Sequence, residues 1–275
     1  MRINTNISAI NAHRNLTLVN EALTKSTAKL SSGFRITRAA DDAAGLGIAN
    51  VFRADTRALN QAARNAEQAA AVLNIAEGGA TSIQKMLERM KELAAQAASD
   101  SVDSNGRTRI TAEYDALRDE IDRTVATLEF QGNALLDGTF SGSFLVSSSG
   151  QYATNDTLTI SGATLDLDST TLTIAADPTT IALAQTALGQ VDAALLLVNA
   201  AIGTIGSYQS RLEIALENVR TTAQNFAAAE STIRDVDMAQ EMTTFTKNQI
   251  LVQAGTAMLA QANQNGQNVL ALLRA

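Results

Sequence analysis

VDAALLLVNAAIGTIGSYQSRLEIALENVRTTAQNFAAAESTIRD, residues 191–235, decides the fold of this chain. Within it Val191, Leu195, Val198, Ile202, Ile205, Gln209, Leu212, Leu216, Val219, Ala223, Phe226, Glu230 and Ile233 recur at alternating four- and three-residue steps. A repeat held over six heptads, broken only by Gln209 and Glu230, predicts one long helix with a coiled-coil seam. At about 1.5 Å per residue that helix would span about 68 Å. A helix of that length needs partners along its whole side.

Three segments upstream carry matching stripes. Leu59, Ala62, Ala66, Ala69, Leu73 and Ala76 form an alanine-rich seam that lets helices approach closely, and Gly78-Gly79 is expected to mark a bend or weak point after it. Ile83, Leu87, Met90, Ala94 and Ala97 continue the stripe. Asn105-Gly106 punctuates a turn, and Ile110, Tyr114, Leu117, Ile121, Thr124 and Leu128 make the next seam. Short connections make such neighbours antiparallel.

The helical period stops near Phe130. From Gly132 to Pro178 there is no Lys or Arg, while Asp137, Asp156, Asp166, Asp168 and Asp177 concentrate negative charge among Ser, Thr and Gly. Alternations at Leu158–Ile160, Leu165–Leu167 and Leu172–Ile174 read as strands of a small β element. The segment is too short to hold a core of its own and is expected to be a solvent-facing tip.

Both ends are also helical in pattern and short of charge. Residues 238–275 carry only Glu241, Lys247 and Arg274, and residues 1–33 set Glu21 against Arg2, Arg14, Lys25 and Lys29. Apolar helices studded with Gln and Asn seek a protein partner on several sides. The expected class is therefore mainly α: a long antiparallel coiled-coil helical rod with a small β-hairpin-rich tip segment and paired terminal helices. Its parts divide at 1–40, 41–136, 137–180, 181–237 and 238–275.

Composition narrows the function. A net charge of −7 argues against duplex nucleic acid as partner. Cysteine is absent, which removes disulfides and thiolate metal sites, and His13 is the single histidine, which leaves no histidine triad or zinc pair. Asp41-Asp42 precedes a helix at Ala43 and is explained by capping, and Gly45 and Gly47 lack the strand and the Lys-Ser/Thr of a phosphate loop. No catalytic, cofactor or metal residue is expected, and no enzyme activity. Met1 to Asn6 has no apolar core of a leader, and no run of about 18 uninterrupted apolar residues predicts a membrane span. The terminal helices also lack the Lys/Arg face with Trp or Phe of an interfacial helix, so protein is favoured over membrane as partner.

Two motifs carry a resemblance. Leu-Ser-Ser-Gly-Phe-Arg-Ile-Thr-Arg-Ala-Ala-Asp-Asp-Ala-Ala-Gly-Leu-Gly-Ile-Ala-Asn at 30–50 is similar to the N-terminal signature of bacterial flagellins. Gln-Ile-Leu-Val-Gln-Ala-Gly-Thr-Ala-Met-Leu-Ala-Gln-Ala-Asn-Gln at 249–264, followed by Gln-Asn-Val-Leu-Ala-Leu-Leu at 267–273, resembles the C-terminal one. The resemblance covers about the first 140 and last 85 residues.

What the resemblance implies is a subunit that polymerises into the helical flagellar filament used for swimming, exported unfolded through the flagellar type III pathway to the cell exterior. Its terminal helices would be disordered in the free monomer and fold in the polymer core, with Arg35, Asp41 and Asp42 setting subunit register and Ile250, Leu251, Leu259 and Leu270 in the interface. Partners would be copies of itself, an export chaperone, a filament cap and hook-junction proteins. A hook–filament junction protein shares the layout and is the nearest rival; Ala40-Asp41-Asp42-Ala43 follows the flagellin form. A membrane-active secreted helical protein is the more remote alternative. Arg-Met-Lys-Glu-Leu-Ala-Ala-Gln at 89–96 resembles the patch by which flagellins engage host Toll-like receptor 5, which would place Leu87, Arg89 and Glu113 at recognition positions. Glu88, Lys91 and Ala95 depart from that pattern, and Lys cannot reproduce a planar guanidinium contact.

Overall fold

The computed structural model describes residues 6–146 and 157–272, with backbone only from 265 onward. Five helices dominate: α1 (Ile7–Ser32), α2 (Ala43–Ala97), α3 (Ser104–Thr127), α4 (Ile181–Arg234) and α5 (Met238–Leu272). Four short strands lie between α3 and α4: β1 (Glu129–Phe130), β2 (Asn133–Ala134), β3 (Ser141–Leu145) and β4 (Thr157–Ser161). The chain forms two compact units, one of Met1–Ala54 with Asn225–Ala275 and one of Asp55–Gln224.

In the Asp55–Gln224 unit the four-three seams become the core. Leu59, Leu73, Ile83, Leu87 and Met90 of α2, Tyr114 and Ile121 of α3, and Val191, Val198 and Ile205 of α4 are all fully buried. Cross-helix bonds fix the directions. Arg220 meets Glu67 at 2.6 Å, Gln209 donates to Asn74 and Glu77 at 3.0 and 2.7 Å, and Lys91 meets Asp192 at 2.5 Å. As the α4 number falls the α2 number rises, so the two run antiparallel. Gln209, the polar interruption of the heptads, has two partners on α2, which a polar seam residue needs if it is to fix register at small cost. In α4 the seam is centred one residue to the side: Ala194 and Ala201 are fully buried, while Leu195 and Ile202 are half-buried. Alanine permits the closer approach.

Asp103 caps α3 by accepting from the Gly106 N–H at 2.7 Å. Arg107 closes the preceding turn by donating to the carbonyls of Ala97 and Ser99. At the other end of α3, Gln131 and Gly132 both have positive φ (52° and 79°), the backbone of a primed hairpin turn, and join β1 to β2.

Four expectations need correction. Gly78-Gly79 does not interrupt α2, which is continuous from Ala43 to Ala97. A Cβ at Gly79 would strike the Leu128 side chain and lie 3.0 Å from Leu136, so this glycine serves close packing. Of the three expected strands only Leu158–Ile160 forms one, paired antiparallel with β3. Leu165–Leu167 is reduced to a single bridge, Asp137 with Asp166, and Leu172–Ile174 lies at a turn end with Thr173 at φ 55°. Their alternation is real but marks burial, since Leu165, Leu167, Leu172 and Ile174 are all buried.

The segment is therefore not merely a solvent-facing tip. It shares one core with α2, α3 and α4 through these residues and Leu135, Leu136 and Ile160. Polar bonds hold it to the helices: Asp122 accepts from Ser169, Gln190 accepts from the Ala175 and Ala176 N–H groups, and Arg118 pairs with Asp177 at 2.9 Å. Asp156 lies outside the described residues.

Finally, α4 does contain an 18-residue window apolar enough by length and composition to cross a membrane. Scattered Gly, Thr and Asn interrupt the run without lowering its mean hydropathy much, so a search for uninterrupted apolar stretches misses it. Val191, Val198 and Ile205 on this helix are buried in the core described above.

Candidate assembly interface

The terminal unit is built by the same four-three rule with different side chains. Along α1 the less exposed positions include Ala9, Ala12, Leu16, Val19, Leu23, Ser26 and Leu30, with Ala22 and Lys29 flanking them; along α5 they are Glu241, Phe245, Asn248, Val252, Gly255, Leu259 and Ala262. Both series step by threes and fours. The helices run antiparallel: Asn6 caps α1 by accepting from the Ala9 N–H at 3.1 Å and donates to the Ala262 carbonyl at 2.8 Å. At the opposite end Ser26 donates to Glu241, which also lies 4.0 Å from Lys29. Midway, a Cβ at Gly255 would come 3.1 Å from Leu16, so glycine sets a close crossing.

This pair is not filled. The only fully buried residue of α1 is Ser26, and no described residue of α5 is fully buried. Ile7, Ile10 and Leu18 of α1 and Ile250, Leu251 and Met258 of α5 are 41–64% exposed. A groove of about 390 Å³ runs between the helices, lined by Ser8, Ala12, Asn15, Leu16, Val19, Leu251, Ala254, Gly255 and Met258. Apolar exposure on this scale along one helix pair marks an interaction surface.

Beside the pair, two breaks in the helices are tied together. Gly33 ends α1 in the left-handed conformation (φ 73°) that a residue with a Cβ adopts only under strain, and the chain turns into Phe34 and Arg35. Phe34 forms an isolated antiparallel bridge with Asp235, between α4 and α5. The Arg35 N–H donates to the Arg234 carbonyl at 2.7 Å, the Arg35 guanidinium donates to the Ile233 carbonyl at 2.6 Å, and the Val236 N–H donates to the Gly33 carbonyl at 3.0 Å. Arg234 stacks over Phe34 at 4.2 Å and pairs with Glu230. Ile36 and Ala49 are buried beside this knot, and Phe52 meets Phe226 with ring centroids 5.4 Å apart.

The acidic pair has two separate tasks. Asp42 caps α2 by accepting from the Gly45 N–H at 2.9 Å, and Gly45 has no room for a Cβ beside Asp42 and Ile36. Asp41 accepts from the Thr37 hydroxyl at 2.9 Å and from the Thr37 and Arg38 N–H groups at 3.3 Å. The Thr37 hydroxyl chiefly, with those backbone donors and the Arg38 charge, holds the Asp41 carboxyl below its ordinary 3.8.

The profile of the bacterial flagellin N-terminal helical region matches residues 3–141, and that of the C-terminal helical region matches 188–273. The chain belongs to the flagellin family. It is similar to the flagellar filament 33 kDa core protein of Treponema phagedenis, 39% identical over the whole of both chains. It is similar to the flagellin of Bacillus subtilis at 40%, again over the whole of both. Among solved structures, the Bacillus cereus flagellin crystal structure is 31% identical, covering 61% of this chain and 94% of that one, with a TM-score of 0.51.

In this flagellin chain the expected interface residues fall in different places. Ile250 and Leu251 are exposed, at 59% and 41%, whereas Leu259 sits half-buried in the α1–α5 seam. The side chain of Leu270 lies outside the described residues. Arg35 bonds across the knot to the Ile233 carbonyl, whereas Asp41 and Asp42 bond locally, accepting from Thr37 and from the Gly45 N–H. Arg89 and Glu113 are exposed and bonded to each other at 2.8 Å, Arg89 also reaching Glu92 at 2.8 Å. The Glu92 carboxylate, then that of Glu113, raises the Arg89 pKa above its ordinary value. Leu87 is a correction: it is fully buried in the helical core and belongs to no surface. What sequence reading missed is the α1–α5 seam, whose spacing is legible but whose Ala, Ser, Asn and Gly positions disguise it. It also missed the Phe34–Arg234 contact, a pairing across 200 residues that no local signal announces.

Proposed function

We propose that the α1–α5 pair is the polymerisation element of this chain. As a flagellin the chain is a structural subunit of the extracellular bacterial flagellar filament and not an enzyme. The observation that carries the reading is the half-filled seam: two charge-poor helices pair along a full heptad register yet leave Ile7, Ile10, Leu18, Ile250, Leu251 and Met258 to solvent. A head-to-tail, non-closing contact between copies would cover those residues and generate a helical polymer. In the free subunit the pair is held by few buried groups, so it opens readily and orders on addition. Such a segment also suits passage as an unfolded chain through a type III export channel, with a chaperone on the C-terminal helix before export and a cap and hook-junction proteins at the filament ends.

Arg35, Asp41 and Asp42 act in this reading through the loop they hold, fixing how α1 leaves α2 and thereby subunit register. For a host Toll-like receptor 5 the reading keeps Arg89 and Glu113, which are exposed, and drops Leu87, which is buried.

Seeded assembly of the purified chain, followed by electron microscopy and sedimentation, tests the reading. Long tubes are expected from the wild type. Ile250→Asp, which places a charge where an apolar contact forms, is expected to raise the critical concentration at least about tenfold with no change in the unfolding of the Asp55–Gln224 unit. Normal assembly of Ile250→Asp and Ile10→Asp would sink the proposal, and caps that stop growth would indicate a junction protein.

A further inference from the structure

Of the six methionines, the five among the described residues differ sharply in environment. Met90 is fully buried and Met86 partly buried in the helical core. Met238, Met242 and Met258 all lie on α5, at 48%, 48% and 64% exposure. Met258 is the most open of these and lines the groove beside Leu16, Val19, Leu251 and Gly255. A thioether packs like leucine but is chemically different, because its sulfur is a two-electron reductant.

We infer that Met258, supported by Met242 and Met238, is a peroxide-oxidisable site that decides whether a free subunit can join the polymer. The inference rests on the α1–α5 pair being the polymerisation element. The sulfur lone pair attacks one oxygen of hydrogen peroxide, an S–O bond forms and the O–O bond breaks. The departing oxygen takes up the proton of the transferred one, leaving methionine sulfoxide and water. Sulfur is oxidised by two electrons and the peroxide is reduced by two. The product carries a strongly polar S–O group into a groove that is mostly apolar, with Ser8 and Asn15 as its polar lining residues, and which a neighbouring copy must dry. Nothing among the described lining residues carries a charge to receive it. In the assembled filament the same covering contact shields the sulfur, so oxidation falls on subunits before they add. Sulfoxide formation is chemically reversible by reduction, which makes the block removable.

The test compares free chain and preformed polymer in hydrogen peroxide, with peptide mass spectrometry of each methionine and Met90 as the internal control. After peroxide removal, extension of seeds is measured. Met258 is expected to oxidise in the free chain while Met90 stays reduced, and at least about fivefold more slowly in polymer, as its exposure falls. Seed extension by the oxidised chain is expected to drop at least about tenfold, the scale of burying one unpaired polar group. Met258→Leu, and separately the Met238→Leu/Met242→Leu/Met258→Leu variant, are each expected to keep after peroxide the seed-extension rate that the same variant shows before it, because leucine offers no sulfur to oxidise.

Extension at the untreated rate by chain carrying Met258 sulfoxide overturns the inference, as does equal loss of assembly by the leucine variants. An untreated wild type that never extends seeds would instead take down the polymerisation reading, and this inference with it.

Discussion

The core of the Asp55–Gln224 unit and the α1–α5 pair follow the same heptad rule to opposite ends. In the first, Leu73, Leu87, Tyr114, Val191 and Ile205 share one core that draws on three helices and on Leu135, Leu136, Leu165, Leu167, Leu172 and Ile174. In the second, Ala12, Leu16, Val19, Val252 and Leu259 face a single partner helix and remain half-covered. Burial of an aliphatic side chain contributes about 1.5–3 kcal/mol only when it is complete, so equal spacing does not give equal stability. The difference teaches that period sets which residues meet, whereas the number of packed layers sets whether the contact can stand alone.

The strongest way to break this comparison is to truncate one seam residue in each region. Leu87→Ala is expected to cost about 2–5 kcal/mol in denaturant unfolding of the helical core, where no rearrangement can fill the void. Leu16→Ala, in the half-open pair, is expected to cost the monomer less than about 1 kcal/mol because much of the side chain already meets water. In the polymer the order should change: Leu16→Ala should impair assembly, and Leu87→Ala should act only through stability. Equal monomer costs would show that α1 and α5 form a finished core.

That contrast also explains what the sequence could reveal. The α4 heptads and the stripes at Leu59–Ala76, Ile83–Ala97 and Ile110–Leu128 were legible because Leu, Ile and Met occupy repeating positions. The strands at Leu165–Leu167 and Leu172–Ile174 were misread, since alternation reports inward and outward facing and not hydrogen-bonded pairing. The terminal motifs located the assembly region, but not which of Ile250, Leu251 and Leu259 faces outward, because a helix with apolar residues on several sides has no single stripe. The Gly33–Val236 and Arg35–Ile233 bonds join distant segments and become visible only when the helices are placed.

A smaller effect separates two glycines within helices. Gly79→Ala should gain about 1 kcal/mol of helix propensity. It should lose about 1–3 kcal/mol to overpacking against Leu128 and Leu136, for a net fall in melting temperature. At Gly255 the Cβ would meet the flexible end of Leu16 at 3.1 Å. Gly255→Ala is therefore expected to be neutral or stabilising by up to about 1 kcal/mol in the monomer. A destabilising Gly255→Ala would mean the α1–α5 crossing is as rigid as the core.

Phe34→Ala comes next in size. It removes the ring under Arg234, and a cation–π contact of this kind contributes about 0.5–1 kcal/mol at an exposed site. Limited proteolysis should then cut faster at residues 33–42 and 234–237, with the helical core unaffected. Unchanged cleavage would assign the knot to its backbone bonds alone.

Acid should act on the two regions with opposite sign, though weakly. Asp41 has its pKa lowered in the fold, chiefly by the Thr37 hydroxyl, so its contribution is present above the unfolded value of 3.8 and lost as pH falls through the folded one. Asp115 of the helical core has its pKa raised, first by burial and then by the charge of Asp177, with Arg118 opposing. Its ionised form disfavours folding, and that penalty is relieved as pH falls from above its folded pKa toward 3.8. Amide hydrogen exchange between pH 6 and about pH 3 should therefore speed, beyond its intrinsic pH dependence, at residues 37–42 before any loosening of α3. Asp41→Asn should abolish the acid step in the loop, and Asp115→Asn should remove the relief in the core while leaving the loop step intact. Loss of protection in α3 ahead of the loop would reverse the assignment, making the half-buried Asp115–Arg118–Asp177 group the acid-sensitive part of the molecule.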